Sequence, residues 1–250
     1  MKFLIAIITS LITVSSMSAV AQDVNALSAA LSNAQGRPDA DKARDELRKP
    51  AQVLDFLGIE RGMTVLDLVA ATGYYTEVLA HAVGPNGKVY MQNSPAALTG
   101  QRGEATAAAI AERLAGNRLP QVEQLHRLPN DLGLPDGSVD AAVIVLEFHE
   151  FYRSDNPNAA SEFLAEIRRV LKVDGVLGII DHAAYPVYDY GPMHRAEEAH
   201  VVRDAQAAGF FVQASSPLLR NPADDRSLSV FDGSIRGNTD RFVLKLIKRR

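Results

Sequence analysis

The chain has 250 residues, 47% of them hydrophobic and 22% charged, with a net charge of −4 and no cysteine. That length suits one α/β domain with a short extension, and the mild negative charge carries no basic footprint for nucleic acid. The missing cysteines exclude disulfides, a thiol nucleophile and lipidation at a lipobox.

Met1-Lys2 gives a short positive start to an apolar run, FLIAIITSLITV, at 3–14. The run is too short to span a bilayer comfortably. It leads to Ala19-Val20-Ala21, the small-x-small pattern of a signal peptidase site. The expectation is export to the periplasm or beyond, with cleavage after Ala21 and no stable membrane span afterwards. An uncleaved anchor is the competing reading. Three segments follow from this: a signal peptide at 1–21, a flexible leader at 22–43, and a single domain at 44–250.

Within that domain the pattern alternates. A helix is expected at about 40–57, with Pro50 breaking it in two. MTVLDLV (63–69) reads as a buried strand, 73–83 as a helix ended by Gly84-Pro85, and KVYMQ (88–92) as a second strand. An Ala-rich helix at 103–115 precedes a weak strand at 121–125. A strong strand follows at 139–148. Asn156-Pro157 opens a helix whose Phe163, Leu164, Ile167, Val170 and Leu171 form one apolar stripe. A fifth strand (175–181), a helix (193–208), FFVQA and RFVLKLI (241–247) complete the set. Strand-helix alternation implies a mostly parallel sheet with helices on both faces. Its ligand site should lie at the carboxyl ends of the strands.

The first strand ends at Asp67 and runs into a small-residue turn, VLDLVAATG. It lacks the G-x-G-x-x-G spacing of dinucleotide folds. It resembles motif I of class I S-adenosylmethionine-dependent methyltransferases, V-L-D-x-G-x-G-x-G, with Val69 and Ala71 in place of the first two glycines. LPDGSVDAAVIVLEFHEFYR and LKVDGVLGIIDH resemble that family's segments through strands four and five. The ensemble of RKPAQVLDFLGIERGMTVLDL, FHEFYR, IIDH, MHR and LLRNPADDRSLSVFDGSIRGNTDRFVLKL is similar to a bacterial group of such proteins, many with signal peptides. The resemblance spans about residues 44–248 and implies a Rossmann-like fold with a seven-stranded sheet, S-adenosylmethionine as cofactor and a small-molecule substrate.

Carried over residue by residue, the resemblance implies that Asp67, Val69, Ala71, Thr72 and Gly73 face the amino-acid part of the cofactor. Asn93 stands where an acid usually meets the ribose hydroxyls. Asn130 and Asp131 stand at the adenine, and Glu147 beside the methyl donor. His149 and Glu150 follow strand four, while Asp181 and His182 end strand five. These strands are neighbours, so their side chains converge. His149 is the preferred base, with Glu150 and His182 beside it, because an imidazole titrates near neutral pH. Glu147, His149, Glu150, Asp181, His182 and His194 are also metal-ligand types, yet no H-E-x-x-H spacing joins them, so no metal is expected.

Tyr74 or Tyr75 can pack on the cofactor or simply in the core. Tyr185, Tyr188 and Tyr190 make an aromatic loop expected either at the substrate entrance or as a packed Ω-type loop. The long 215–240 segment should fold over a sheet edge or the site mouth, anchored by Arg226, Arg236 and Asp240. A non-catalytic exported binding protein on a degenerate methyltransferase fold is the alternative. No G-x-S-x-G elbow supports a hydrolase.

Overall fold

The computed structural model of the protein describes residues 23–186 and 191–250. The expected signal peptide, its cleavage site, Tyr188 and Tyr190 lie outside the described residues.

The segment 22–43, expected to be a flexible leader, is instead ordered over its described part. Asp23 caps helix α1 (Val24–Asn33), its carboxylate accepting from the N–H groups of Asn25 and Ala26. Leu27 and Leu31, one helical turn apart, are buried against α3 and α4. Apolar spacing of four residues was the signal, hidden in a polar, alanine-rich stretch. Helix α2 (Asp39–Arg48) ends at Lys49 in a left-handed conformation, and Pro50 opens α3 (Pro50–Leu57). The expected break at Pro50 follows from the proline's missing N–H, which is harmless at a first helical position.

The remaining elements are β1 (Thr64–Leu68), α4 (Tyr74–Val83), β2 (Lys88–Asn93), α5 (Gly100–Leu114), β3 (Val122–His126), β4 (Val139–Val145), α6 (His149–Tyr152), α7 (Ala159–Val170), β5 (Leu171–His182), α8 (Glu198–Ala207), β6 (Phe210–Ser216) and β7 (Arg241–Lys248). The sheet order is β3-β2-β1-β4-β5-β7-β6. The first five strands are parallel, and β7 runs antiparallel to both of its neighbours. The order reverses between β1 and β4, which opens a crevice at their carboxyl ends.

Alternation along each strand builds two cores. Leu66 and Leu68 of β1 join Phe163, Leu164 and Ile167 of α7 on one face. Val65 joins Leu54, Leu57, Val78 and Leu79 of α3 and α4 on the other. Strand β4 is shorter than its apolar run. It stops at Val145 because Leu146 turns into the left-handed region (φ 62°), so Glu147 lies beyond the strand. No described helix is long and apolar enough to cross a membrane.

Candidate functional site

Between β1 and α4, the turn 69–73 takes the shape its missing glycines would have taken. Val69 (φ 51°), Ala71 (φ 49°) and Gly73 (φ 87°) are all left-handed. Such backbone costs an L-residue about 1–2 kcal/mol. It persists because neighbours over-determine it. The Gln92 side-chain oxygen accepts the Val69 N–H at 2.8 Å. The Asn93 amide makes a double bridge to Ala71, accepting its N–H at 2.9 Å and donating to its carbonyl at 3.1 Å. Arg113 donates to the Thr72 carbonyl at 2.7 Å. Arg113 is itself held by buried Glu77 and by Asp41, 2.7 Å away.

This turn forms one wall of a cavity of about 400 Å³ at the switch point. Asp67, Val69, Ala71 and Thr72 line it, and Glu147, His149, Glu150, His182 and His194 line the opposite side. Asp67 is buried and accepts a hydrogen bond from Thr76 at 2.5 Å. Burial pushes its carboxyl up to about 7, against the pull of Thr76 and Arg113.

On the opposite side, fully buried Asp181 is the organising carboxylate. It accepts the His149 backbone N–H at 2.7 Å and the His182 N–H at 2.7 Å, and lies 2.9 Å from His149 Nδ1. A neutral His149 therefore carries its proton on Nδ1 and presents Nε2 as a lone pair. Burial works against a charged His149, but Asp181 prevails and its pKa is raised. Glu150 Oε1 lies 3.1 Å from His149 Nε2 and 2.6 Å from His194 Nδ1. Glu147 has no such partner among the described residues. Burial, with Asp181 and Glu150 adding, pushes it up to about 7 against the opposing influence of His149. His182 bonds Thr239 at 2.6 Å and stays neutral: burial and then Arg241 hold it well below its ordinary value.

Two further segments reach the mouth. Arg44 and Arg48 line it from α2, and Val230 and Phe231 from the 215–240 segment. Arg48 stacks 4.5 Å over the Tyr74 ring and has no carboxylate within ion-pair distance among the described residues. Phe231 packs edge-on against His194, and the Val230 N–H donates to the Met193 carbonyl. Asp240 does anchor that segment, pairing with Arg220 and Arg226, while Arg195 forks onto Asp224. Arg236 has no ion pair among the described residues.

The structure thus brings Asp67, Val69, Ala71, Thr72, Glu147, His149, Glu150 and His182 to one cavity. Gly73 caps α4 just behind it. Three expected residues are elsewhere. Asn93 is buried, with its amide turned to Ala71 rather than to the cavity. Asn130 bonds Glu162 at the surface, and Asp131 lies beside Arg127 there. Sequence reasoning missed Arg44, Arg48, Val230 and Phe231. The charged run before Pro50 was the one signal for the arginines.

Residues 66–179 match the family model of the methyltransferase domain. The whole architecture is similar to a SAM-dependent methyltransferase from Aquifex aeolicus, at 25% identity and a TM-score of 0.61, covering 90% of this chain and 98% of that one. The chain carries the methyltransferase domain of the class I S-adenosylmethionine-dependent fold. The fold alone is shared with the 4+2 cyclase SpnF, at 18% identity and a TM-score of 0.60, over 81% of this chain and 80% of that one. No curated protein matches the methyltransferase's sequence.

S-adenosylmethionine is the cofactor of this family, and the residues present fit its amino-acid end. Asp67 and Arg48 offer a carboxyl and a guanidinium to one cavity, and neither forms an ion pair among the described residues. The degenerate motif was one ground for a non-catalytic reading, beside Asn93 and the export signal. The methyltransferase loop nevertheless adopts the left-handed backbone that glycines would allow, so that ground falls away.

Proposed function

We propose that this methyltransferase transfers the cofactor's methyl group to a small molecule bound between the 69–72 turn and the His149–Asp181 pair. The observation that carries this reading is the shared cavity, which joins the cofactor turn to a cluster of proton-handling side chains. Its volume, about 400 Å³, suits small ligands.

The cofactor supplies an electrophilic methyl on a sulfonium. The chain's own residues do the rest. Asp67 and Arg48 hold the two charges of an amino acid and so set its direction. The strapped turn fixes the wall against which it lies. His149, fastened through Nδ1 to Asp181, shares Nε2 with Glu150 Oε1 at 3.1 Å, and this pair takes the proton from a hydroxyl, thiol or amine. Asp181 stabilises positive charge that gathers on the imidazole. Phe231 and Val230 narrow the mouth and exclude water. Alignment of acceptor and methyl is the larger share of such a displacement.

The apolar run at 3–14 followed by Ala19-Val20-Ala21 supports export of the mature protein beyond the inner membrane.

The test is methyl-labelled S-adenosylmethionine added with a metabolite extract. The expected result is label in the low-mass fraction that passes a protein-retaining filter. Label confined to protein or nucleic acid, or no transfer by cofactor-loaded protein, would overturn the small-molecule reading.

A further inference from the structure

We infer that His149, Glu150 and His194 form a binding site for a divalent first-row transition metal ion, open to the cavity. The three come from two separate places: the first turn of α6 and the loop after β5. No compact sequence motif therefore marks them, and a reading by spacing finds no metal. In the fold, one ligand atom from each lies within 4.8 Å of the other two. Glu150 Oε1 is 3.1 Å from His149 Nε2 and 2.6 Å from His194 Nδ1. Donors bound to one ion at about 2.1 Å lie about 3–3.5 Å apart. The Glu150–His149 distance already matches that spacing, and the shorter Glu150–His194 contact opens slightly to reach it.

Four observations point to an ion. Two imidazoles and one carboxylate are the donor set of open transition-metal sites. Asp181 holds His149 Nδ1 at 2.9 Å, the outer carboxylate that orients a metal-ligating imidazole. Arg153 pairs with Glu150 through the other oxygen, Oε2, and leaves Oε1 to the two histidines. His194 is held in a left-handed backbone (φ 56°), and its neighbour Arg195 is locked onto Asp224 and the Ala183 carbonyl. That places its ring at the cavity mouth against Phe231.

Charge balance agrees. Without an ion, His149 satisfies both Asp181 and Glu150 only as an imidazolium with both nitrogens protonated. Three carboxylates, Glu147, Glu150 and Asp181, surround these imidazoles. A dication takes the place of the proton at Nε2. Three protein donors leave further positions open toward the cavity, where a substrate oxygen or sulfur can bind. That last role rests on the methyl-transfer reading; the ion site itself does not. It would move acceptor activation from the His149–Glu150 pair to the ion's charge.

The test uses the purified full chain, stripped with a chelator and titrated calorimetrically with Zn(II). Co(II) absorption serves as a second readout. We expect one ion per chain with a micromolar or tighter dissociation constant. His194→Ala and Glu150→Gln should each weaken it at least tenfold, Asp181→Asn about 10–100-fold, and His126→Ala not at all. Thermal melts identify any variant that fails to fold, and the cobalt spectrum of Glu150→Gln, the most conservative change, then decides. Millimolar binding, or equal binding by wild type and folded His194→Ala, would overturn the inference. Cofactor affinity measured on the same stripped protein separates the two readings: cofactor without zinc binding sinks this one alone, and zinc without cofactor binding sinks methyl transfer alone.

Discussion

His149 and Asp181 meet twice: side chain to side chain at 2.9 Å, and His149 backbone N–H to the second carboxylate oxygen at 2.7 Å. One buried carboxylate thereby sets both the place of the α6 turn and the tautomer of its imidazole. Asp181→Asn keeps the shape and removes the charge. The expected outcome is a drop in kcat of about 10–100-fold with cofactor affinity unchanged. Single-turnover kinetics and a cofactor titration on the same variant check it. A variant that lost cofactor affinity and kcat together would mean a purely structural role.

The 69–73 turn makes opposite predictions for two adjacent changes. Ala71→Gly removes a left-handed strain of about 1–2 kcal/mol and loses part of it to backbone entropy. It is expected to stabilise the fold by up to about 1 kcal/mol. Gly73→Ala adds a Cβ that meets Met91 Cε at 2.8 Å and Arg113 Cδ at 3.1 Å, at φ 87°. It should cost about 1–3 kcal/mol. Urea unfolding of both variants checks the pair. Destabilisation by Ala71→Gly would show that the turn is not strained.

Much of this was legible in the sequence. The strand-turn-helix at 64–83 reads directly from an apolar run ending in Asp67, and Pro50 marks a true boundary. The charged cluster at 147–150 and 181–182 converges because β4 and β5 are neighbours, as the resemblance to the methyltransferase fold implies. Asn93 was not legible, because an amide that holds a neighbouring loop is indistinguishable in sequence from one that holds a ligand. Arg48 and Phe231 reach the cavity from segments far away in the chain, and no local period encodes that meeting. Helix α1 was hidden because only Leu27 and Leu31 carry its burial.

Asp67 gives a pH dependence with a definite sign. Its folded pKa is about 7, above the ordinary carboxylate value near 3.9. The folded state therefore holds more protons than the unfolded one between those limits. Its contribution to stability is full below about pH 4 and is lost as pH rises through about 7. Asp67→Asn should flatten that slope and be the more stable protein above pH 7. Denaturation midpoints from pH 4 to 8 read this, and parallel curves for the two proteins would refute it.

Arg48 offers the cavity a cation with no carboxylate partner among the described residues. Arg48→Met keeps much of the stacking length on Tyr74 and deletes the charge. The cofactor dissociation constant should rise about tenfold, equivalent to about 1.4 kcal/mol. Added salt should weaken the wild type more than the variant. An unchanged constant would place the cofactor's carboxylate elsewhere.

The central claim is that VAATG, glycine-poor as it is, remains a working cofactor turn. Calorimetric titration of the purified chain with S-adenosylmethionine, then with S-adenosylhomocysteine, tests it most directly. One site with a micromolar dissociation constant for each is expected, lost in Asp67→Ala. No binding up to millimolar ligand by a folded sample, with and without a divalent metal, would contradict it.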